Sequence, residues 1–203
     1  MSEFWFQFFY TIARVIFAIV HPRKVIGREN IPQGSCLVCG NHTRYSDPIF
    51  IVLSMGRRDH PYIMGKAELL KVPVLGWIVK KVGLIPVERG KADVKAIKEC
   101  MRVLKEGKKL LIFPEGTRVK EGEDSDAKTG AAMLALRTGV PMVPVYVPNK
   151  LGWFRRTPVV FGQAYTPEVP EGQKPTAEDY RRVADDLMAR IKALAERTLS
   201  ERT

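Results

Sequence analysis

The chain has 203 residues, a length suited to one domain, at most with an appendage, and at that size about 70% of the unfolded surface can be buried, so a core needs no staples. Hydrophobic residues make up 45% and charged residues 27%, as in globular proteins, and three cysteines are too few and too odd for a disulfide framework, pointing instead to a reducing compartment. The 33 Lys+Arg against 22 Asp+Glu give a net charge of +11, which favours nucleic acid, an acidic lipid surface or a phosphorylated substrate; the basic residues come as scattered pairs, so no nucleic-acid arm is present.

Residues 4–20 are dominated by aromatic and aliphatic side chains. No small-residue cleavage site follows them; His21-Pro22-Arg23-Lys24 does, and the charged leading region of a signal peptide is missing. As a helix the stretch would be roughly 25 Å long, short of the ~30 Å hydrocarbon core of a bilayer. Gln7, Thr11, Arg14 and Ala18 fall at the i, i+4, i+7, i+11 spacing of one face, and apolar residues from Phe4 to Ile19 cover the rest. A thin polar seam on an apolar cylinder fits a helix lying at a membrane surface. It also fits a helix that docks its seam on the domain and turns its apolar side to lipid. The competing reading is a helix buried in the protein's own core. The expected organisation is a membrane-associated helix over residues 1–22 and one domain over 23–203.

Further along, residues 25–27 and 35–40 read as strands. Cys36-Leu37-Val38-Cys39 has redox or zinc spacing, but residues three apart on a strand point to opposite faces, so two small core side chains are expected. Asp47-Pro48 opens a helix to residue 55, with Asp47 as its cap. Residues 62–64 form a strand, 68–81 a helix broken at Pro73 and Gly76, and 84–87 a strand. An amphipathic helix follows over 94–105, stopped by Gly107. Residues 110–113 make a central strand, 129–138 a helix, and 141–147 and 159–164 strands, with Pro144 marking an edge or a bulge. Residues 177–199 form a long helix whose inner stripe is Tyr180, Val183, Leu187, Ile191 and Leu194. Alternating strands and helices imply an α/β fold with a mixed, largely parallel sheet flanked by helices.

Two segments carry chemistry. Asn41-His42-Thr43-Arg44-Tyr45-Ser46-Asp47 follows a strand, and if its loop doubles back the Asp47 carboxylate can hold one ring nitrogen of His42. The other nitrogen is then an acceptor, able to take a proton from a hydroxyl. The bland alternative has Asp47 capping its helix and His42 filling a crevice. Phe113-Pro114-Glu115-Gly116-Thr117-Arg118 also follows a strand. Gly116 permits an unusual backbone angle or close ligand approach, and Arg118 can chelate phosphate; a surface loop with an internal Glu-Arg pair is the alternative. Gly83-Leu84-Ile85-Pro86-Val87-Glu88-Arg89 is another strand ending in arginine, from which Arg89 could reach the same anion. A base beside an anion receptor is what attack by a hydroxyl of a phosphate-bearing molecule requires.

Together these segments resemble the 1-acylglycerol-3-phosphate acyltransferase family, within the wider glycerolipid acyltransferase superfamily. Asn41 to Asp47, Gly83 to Arg89, Phe113 to Arg118 and Val143-Pro144-Val145-Tyr146-Val147 look like its four ordered blocks. Lys66-Ala67-Glu68-Leu69 and Lys128-Thr129-Gly130-Ala131 sit where the family tends to carry a lysine. The resemblance implies an acyltransferase domain over 23–203 that moves a fatty acyl group from acyl-CoA or acyl carrier protein to the free hydroxyl of a lysophosphatidic acid, giving phosphatidic acid. It implies His42 as general base and Asp47 as its orienting acid. Arg89 and Arg118 would bind the acceptor phosphate, Glu115 and Gly116 would shape that site, and Lys66 would assist. Neither a metal nor a cofactor beyond the thioester co-substrate is expected, nor is nucleic acid as a partner.

A lipid acceptor makes a membrane surface the expected partner, with the protein monotopic or peripheral on the cytoplasmic face of the cell membrane. Leu69, Leu70, Val72, Val74, Leu75, Trp77 and Ile78 are candidates for an acyl channel or for ordinary core. Trp153-Phe154-Arg155-Arg156 is a candidate second membrane foot. The alternatives are acylation of another lysophospholipid or of glycerol-3-phosphate itself, and, in a different class, a non-catalytic membrane-attached lipid-binding protein.

Overall fold

Short apolar runs rich in Val, Leu and Ile become strands here because the sheet buries them on both faces. A computed structural model describes residues 2–88, 93–116, 128–149, 154–169 and 173–200. The strands are β1 (Arg23–Ile26), β2 (Cys36–Gly40), β3 (Tyr62–Lys66), β4 (Leu84–Val87), β5 (Lys109–Ile112), β6 (Met142–Tyr146) and β7 (Thr157–Phe161). They lie in the order β1-β7-β6-β2-β5-β3-β4. Every pairing is parallel except β6 with β7. The mixed, largely parallel sheet expected from the sequence is therefore present.

Helices α1 (Glu3–Val20), α2 (Asp47–Met55), α3 (Leu75–Lys81), α4 (Val94–Lys105), α5 (Gly130–Thr138) and α6 (Ala177–Ser200) flank it. Side chains of β2 alternate between two cores. Leu37 and Cys39 join Cys100, Val103, Leu104, Leu134, Leu187 and Ile191 under α4, α5 and α6. Cys36 and Val38 join Phe50, Ile51 and Met55 of α2 on the other face. The two cysteines are thus back to back, both free and buried, and burial pushes the Cys36 thiol up to about 12. The limits of α4 match the expected 94–105: Asp93 caps it by accepting from Ala96 N at 2.9 Å, and Gly107 follows it with φ of 78°.

Three readings that the sequence left open are narrowed by the fold. Pro144 lies in β6, between β7 and β2 rather than at an edge, and it marks a bulge: Met142 faces Tyr165 whereas Val145 faces Phe161, so the strand opposite carries one extra residue between them. Across this bulge the Pro144 carbonyl accepts from Gly162 N at 2.8 Å. The proline's missing N–H is tolerated because the ladder is interrupted there. The candidate acyl-channel residues are not ordinary core. A 3-10 turn over Ala67–Lys71 precedes α3, Leu70, Val72, Val74, Leu75 and Trp77 are exposed, and Leu69 and Ile78 are half-buried.

The polar seam of α1 lies along the edge of its contact with the domain. Phe6 and Tyr10, on the neighbouring stripe, pack with Leu53, and the Tyr10 hydroxyl donates to the Leu53 carbonyl at 3.3 Å. The seam runs along the border of this contact, where Gln7 exchanges hydrogen bonds with Arg57. On the far side Phe4, Phe8, Ile12, Val15, Ile16 and Ile19 are exposed, so α1 is not a core helix. Trp5 meets Trp77 edge-on at 4.8 Å, joining this apolar face to that of α3.

Candidate active site

β2 and β5 are neighbours, yet α2 follows β2 on one face of the sheet and α5 follows β5 on the other. Crossovers that part in opposite directions leave a crevice beyond the carboxyl ends of the two strands, where α/β folds seat ligands. His42 follows β2 and Glu115-Gly116 follows β5, so both sequence blocks flank that crevice.

Asn41 fixes the first block. Its side-chain amide donates to the Val147 carbonyl and accepts from Val147 N, each at 2.8 Å, tying the end of β2 to the end of β6. The loop then doubles back. Asp47 Oδ2 accepts from Thr43 N and Arg44 N, both at 2.7 Å, and lies 3.5 Å from His42 Nδ1. Asp47 is fully buried, whereas the His42 side chain keeps 14% exposure. The carboxylate therefore clamps the loop before it and does not cap α2, whose cap position is taken by Ser46. Arg44 brings Nε to 3.6 Å from Asp47 Oδ1 and donates to the Pro148 and Asn149 carbonyls. Among the described residues, His42 Nδ1, Asp47 Oδ1 and Arg44 Nε are buried and lack hydrogen-bond partners, so this corner has unused polar capacity turned on itself.

The second block holds the histidine from the other side. The ring stacks on Phe113 with centroids 4.2 Å apart, and Glu115 Oε2 accepts from His42 N at 3.0 Å. Burial raises the Glu115 carboxyl to about 7; the His42 N–H bond opposes this and the nearby Asp47 charge adds to it. Gly116 has φ of 67°, and a Cβ there would lie 2.6 Å from Lys128 Cδ. The turn thus needs glycine both for its backbone angle and to let the Lys128 chain cross it.

The structure brings His42, Asp47, Glu115 and Gly116 together. Lys66 ends β3, next to β5, and its Nζ pairs with Glu68 at 3.4 Å rather than with any of these four. Arg89 and Arg118 lie outside the described residues, as does Trp153. Sequence reasoning quoted Asn41, Arg44 and Lys128 without giving them these positions. An asparagine at a strand end just before a histidine was the available signal for the first. The links made by Arg44 and Lys128 are tertiary and left no pattern in the chain.

A family model described as Acyltransferase matches residues 22–148. The chain is 31% identical over 209 residues to the 1-acyl-sn-glycerol-3-phosphate acyltransferase of Pseudomonas aeruginosa, covering 95% of this chain and 78% of that protein. It is 37% identical over 123 residues to the chloroplastic 1-acyl-sn-glycerol-3-phosphate acyltransferase BAT2 of Brassica napus, covering 59% of this chain and 35% of that one. The chain thus spans about a third of the length of the first curated relatives it matches, 35% for two of them. Its fold is similar to the crystal structure of the 1-acyl-sn-glycerophosphate acyltransferase PlsC of Thermotoga maritima, with a TM-score of 0.69, 24% identity, and coverage of 95% of this chain and 78% of that one.

Proposed function

This chain belongs to the acyltransferase family, and from that premise we propose that it transfers a fatty acyl group from a thioester, acyl-CoA or acyl carrier protein, to the free hydroxyl of 1-acylglycerol-3-phosphate, giving phosphatidic acid. The observation that carries the reading is the His42–Asp47 pair: a buried carboxylate 3.5 Å from Nδ1 of a histidine that is itself partly open to solvent. With Nδ1 facing Asp47, Nε2 is the acceptor. It takes the acceptor hydroxyl proton as the alkoxide oxygen attacks the thioester carbonyl. The tetrahedral intermediate collapses with cleavage of the C–S bond, and the imidazolium returns its proton to the departing sulfur. Asp47 stabilises the imidazolium in between, and no acyl-enzyme is formed.

Arg89 and Arg118 are proposed to grip the acceptor phosphate, since a guanidinium matches phosphate oxygens with paired donors. Glu115 holds the His42 backbone and Gly116 keeps the turn open beside Lys128, which adds a cation there. Lys66 is assigned a supporting role at the neighbouring strand end. The exposed apolar faces of α1 and α3, with exposed Phe154, whose N–H donates to the Val20 carbonyl at 3.1 Å, support a monotopic or peripheral seat at a membrane surface; the cytoplasmic face is proposed from the low, odd cysteine count, which suits a reducing compartment. No cofactor beyond the thioester is invoked.

Incubating purified protein with both donor types and a panel of lyso-acceptors, with products read by mass spectrometry, tests the proposal. Phosphatidic acid formed by the wild type and not by His42→Ala is the expected result. Transfer only to another lysophospholipid or to glycerol-3-phosphate would reassign the acceptor. No transfer at all would leave a lipid-binding protein.

A further inference from the structure

A cavity of about 690 Å³ between α1, the start of β1 and the end of α2 takes no part in the reaction above. Arg14, Arg23, Arg28, Arg57, Arg58 and Arg156 line it, and among the described residues no aspartate or glutamate does. Among the described residues none of the six is ion-paired, and the partner of Arg57 is the neutral Gln7. Six like charges around one cavity repel one another unless an anion joins them.

Among the described residues two donors in the wall are buried and unused. Ser54, 2% exposed, has no partner for its hydroxyl, and Arg23 has none for Nη1. Burial weakens the hold of Arg23 on its proton; Tyr10 opposes this and Arg14 adds to it. Gly56 ends α2 with φ of 106°, and a Cβ there would collide with the Arg28 guanidinium, so the glycine is what admits that arginine. Ser54 lies seven residues beyond Asp47 on α2, ~10 Å of helix rise, and neither His42, Asp47 nor Glu115 lines the cavity.

The cavity is also placed at a boundary. Arg14 and Ala18 belong to the polar seam of α1, with the packed Phe6 and Tyr10 on one side and the exposed Val15 and Ile19 on the other. In a helix lying at a membrane surface that seam sits at the level of lipid headgroups.

We propose that this cavity binds the phosphate of an anionic phospholipid headgroup, separately from the acceptor phosphate, and so seats α1 on acidic membrane. The inference rests on the reading of α1 as an interfacial helix. Guanidiniums supply paired donors to the phosphate oxygens, and Ser54 Oγ and Arg23 Nη1 gain the partner they lack.

The test uses the full chain and vesicles of phosphatidylcholine, with or without phosphatidylglycerol. Arg23→Gln and the double variant Arg28→Gln/Arg58→Gln are compared with Lys95→Gln/Lys98→Gln, which removes the same charge as the double from exposed positions of α4 on the opposite face of the sheet. The cavity double is expected to lose about 10- to 30-fold in preference for acidic vesicles, at the energy typical of a basic residue near an anionic surface. The α4 double should lose far less, and binding to phosphatidylcholine alone should stay unchanged in all variants. Equal losses in the two doubles would show diffuse charge attraction and overturn the site. So would an unchanged Arg28→Gln/Arg58→Gln, which decides the matter if the partly buried Arg23→Gln does not fold. Calorimetric titration with inorganic phosphate alone separates the sources: saturable binding abolished in the double, with acidic-vesicle preference intact, would reassign the cavity to a free anion. Acyl transfer in neutral detergent should be equal in wild type and the double. Its absence in the wild type would sink the enzymatic reading while the vesicle result still stands or falls by itself.

Discussion

The crevice at β2 and β5 and the cavity beside α1 are both built to handle polar chemistry, yet they are opposite in construction. At the crevice each functional group is held by the protein itself. Asp47 is clamped by two backbone N–H groups, His42 lies on Phe113 with its backbone held by Glu115, and Asn41 is locked to Val147. In the cavity, among the described residues, the arginines lack acid partners and two buried donors are unused. A site that must position a proton to a fraction of an ångström is assembled before its ligand arrives. A site that only has to hold an anion can leave its charges uncompensated until one binds. Substitutions at the crevice should therefore change chemistry or folding without added lipid, whereas those in the cavity should matter only when an anionic surface is present.

The largest effect that would sharpen this contrast is on turnover. His42→Ala should lower kcat at least about 10²–10⁴-fold while the thermal transition moves little, since the ring is partly exposed and its main packing partner is one phenylalanine. Full activity in steady-state assays would remove the histidine from the mechanism. Next comes Asn41→Ala, which strips both hydrogen bonds from Val147 in a buried setting. A loss of about 2–4 kcal/mol in denaturant unfolding is expected. A change under a few tenths of a kcal/mol would mean that the crevice is not held together before its ligand arrives.

These residues differ in how readable they were. Most strands and helices were legible because each holds one periodicity between turn or cap residues, and α4 was foreseen to the residue, whereas β7 runs over Thr157–Phe161 rather than 159–164 and Ala67–Lys71 turns as a 3-10 helix. Pro144 announced an irregular ladder, but whether that meant an edge or the bulge it marks is a tertiary fact. On α1 the packed stripe of Phe6 and Tyr10 and the exposed stripe of Ile12 and Ile16 are equally apolar, so the chain alone could not say which face docks. Asp47 was legible as a partner for His42, but its clamp on Thr43 and Arg44 depends on how the loop closes. The arginine cavity was invisible for a simpler reason. Its residues arrive from positions 14 to 156, where the sequence displays only isolated basic residues and pairs.

A smaller effect is expected at Gly116. Alanine there must adopt φ of 67° and place its Cβ 2.6 Å from Lys128 Cδ. The left-handed backbone alone costs ~1–2 kcal/mol, and the lysine has to move. Unfolding should register the first and a raised KM for the acceptor the second. An unchanged KM would separate Lys128 from the acceptor site while leaving the strain intact.

The most delicate test concerns Glu115. Burial lifts its carboxyl to about 7 from the usual 4.5, with Asp47 adding repulsion against the His42 N–H bond. A carboxyl raised on folding binds its proton more tightly in the native state than in the unfolded chain. It therefore contributes stability that is fully present below pH 4.5 and is lost as pH rises through about 7. Glu115→Gln keeps an oxygen for the His42 N–H and removes this titration. The difference in Tm, wild type minus variant, should accordingly fall between pH 4.5 and about 7 and level off above that window. A flat difference across that range would show that the native carboxyl ionises like a solvated one. The crevice would then contain an ordinary carboxylate, and its contrast with the arginine cavity would rest on hydrogen bonding alone.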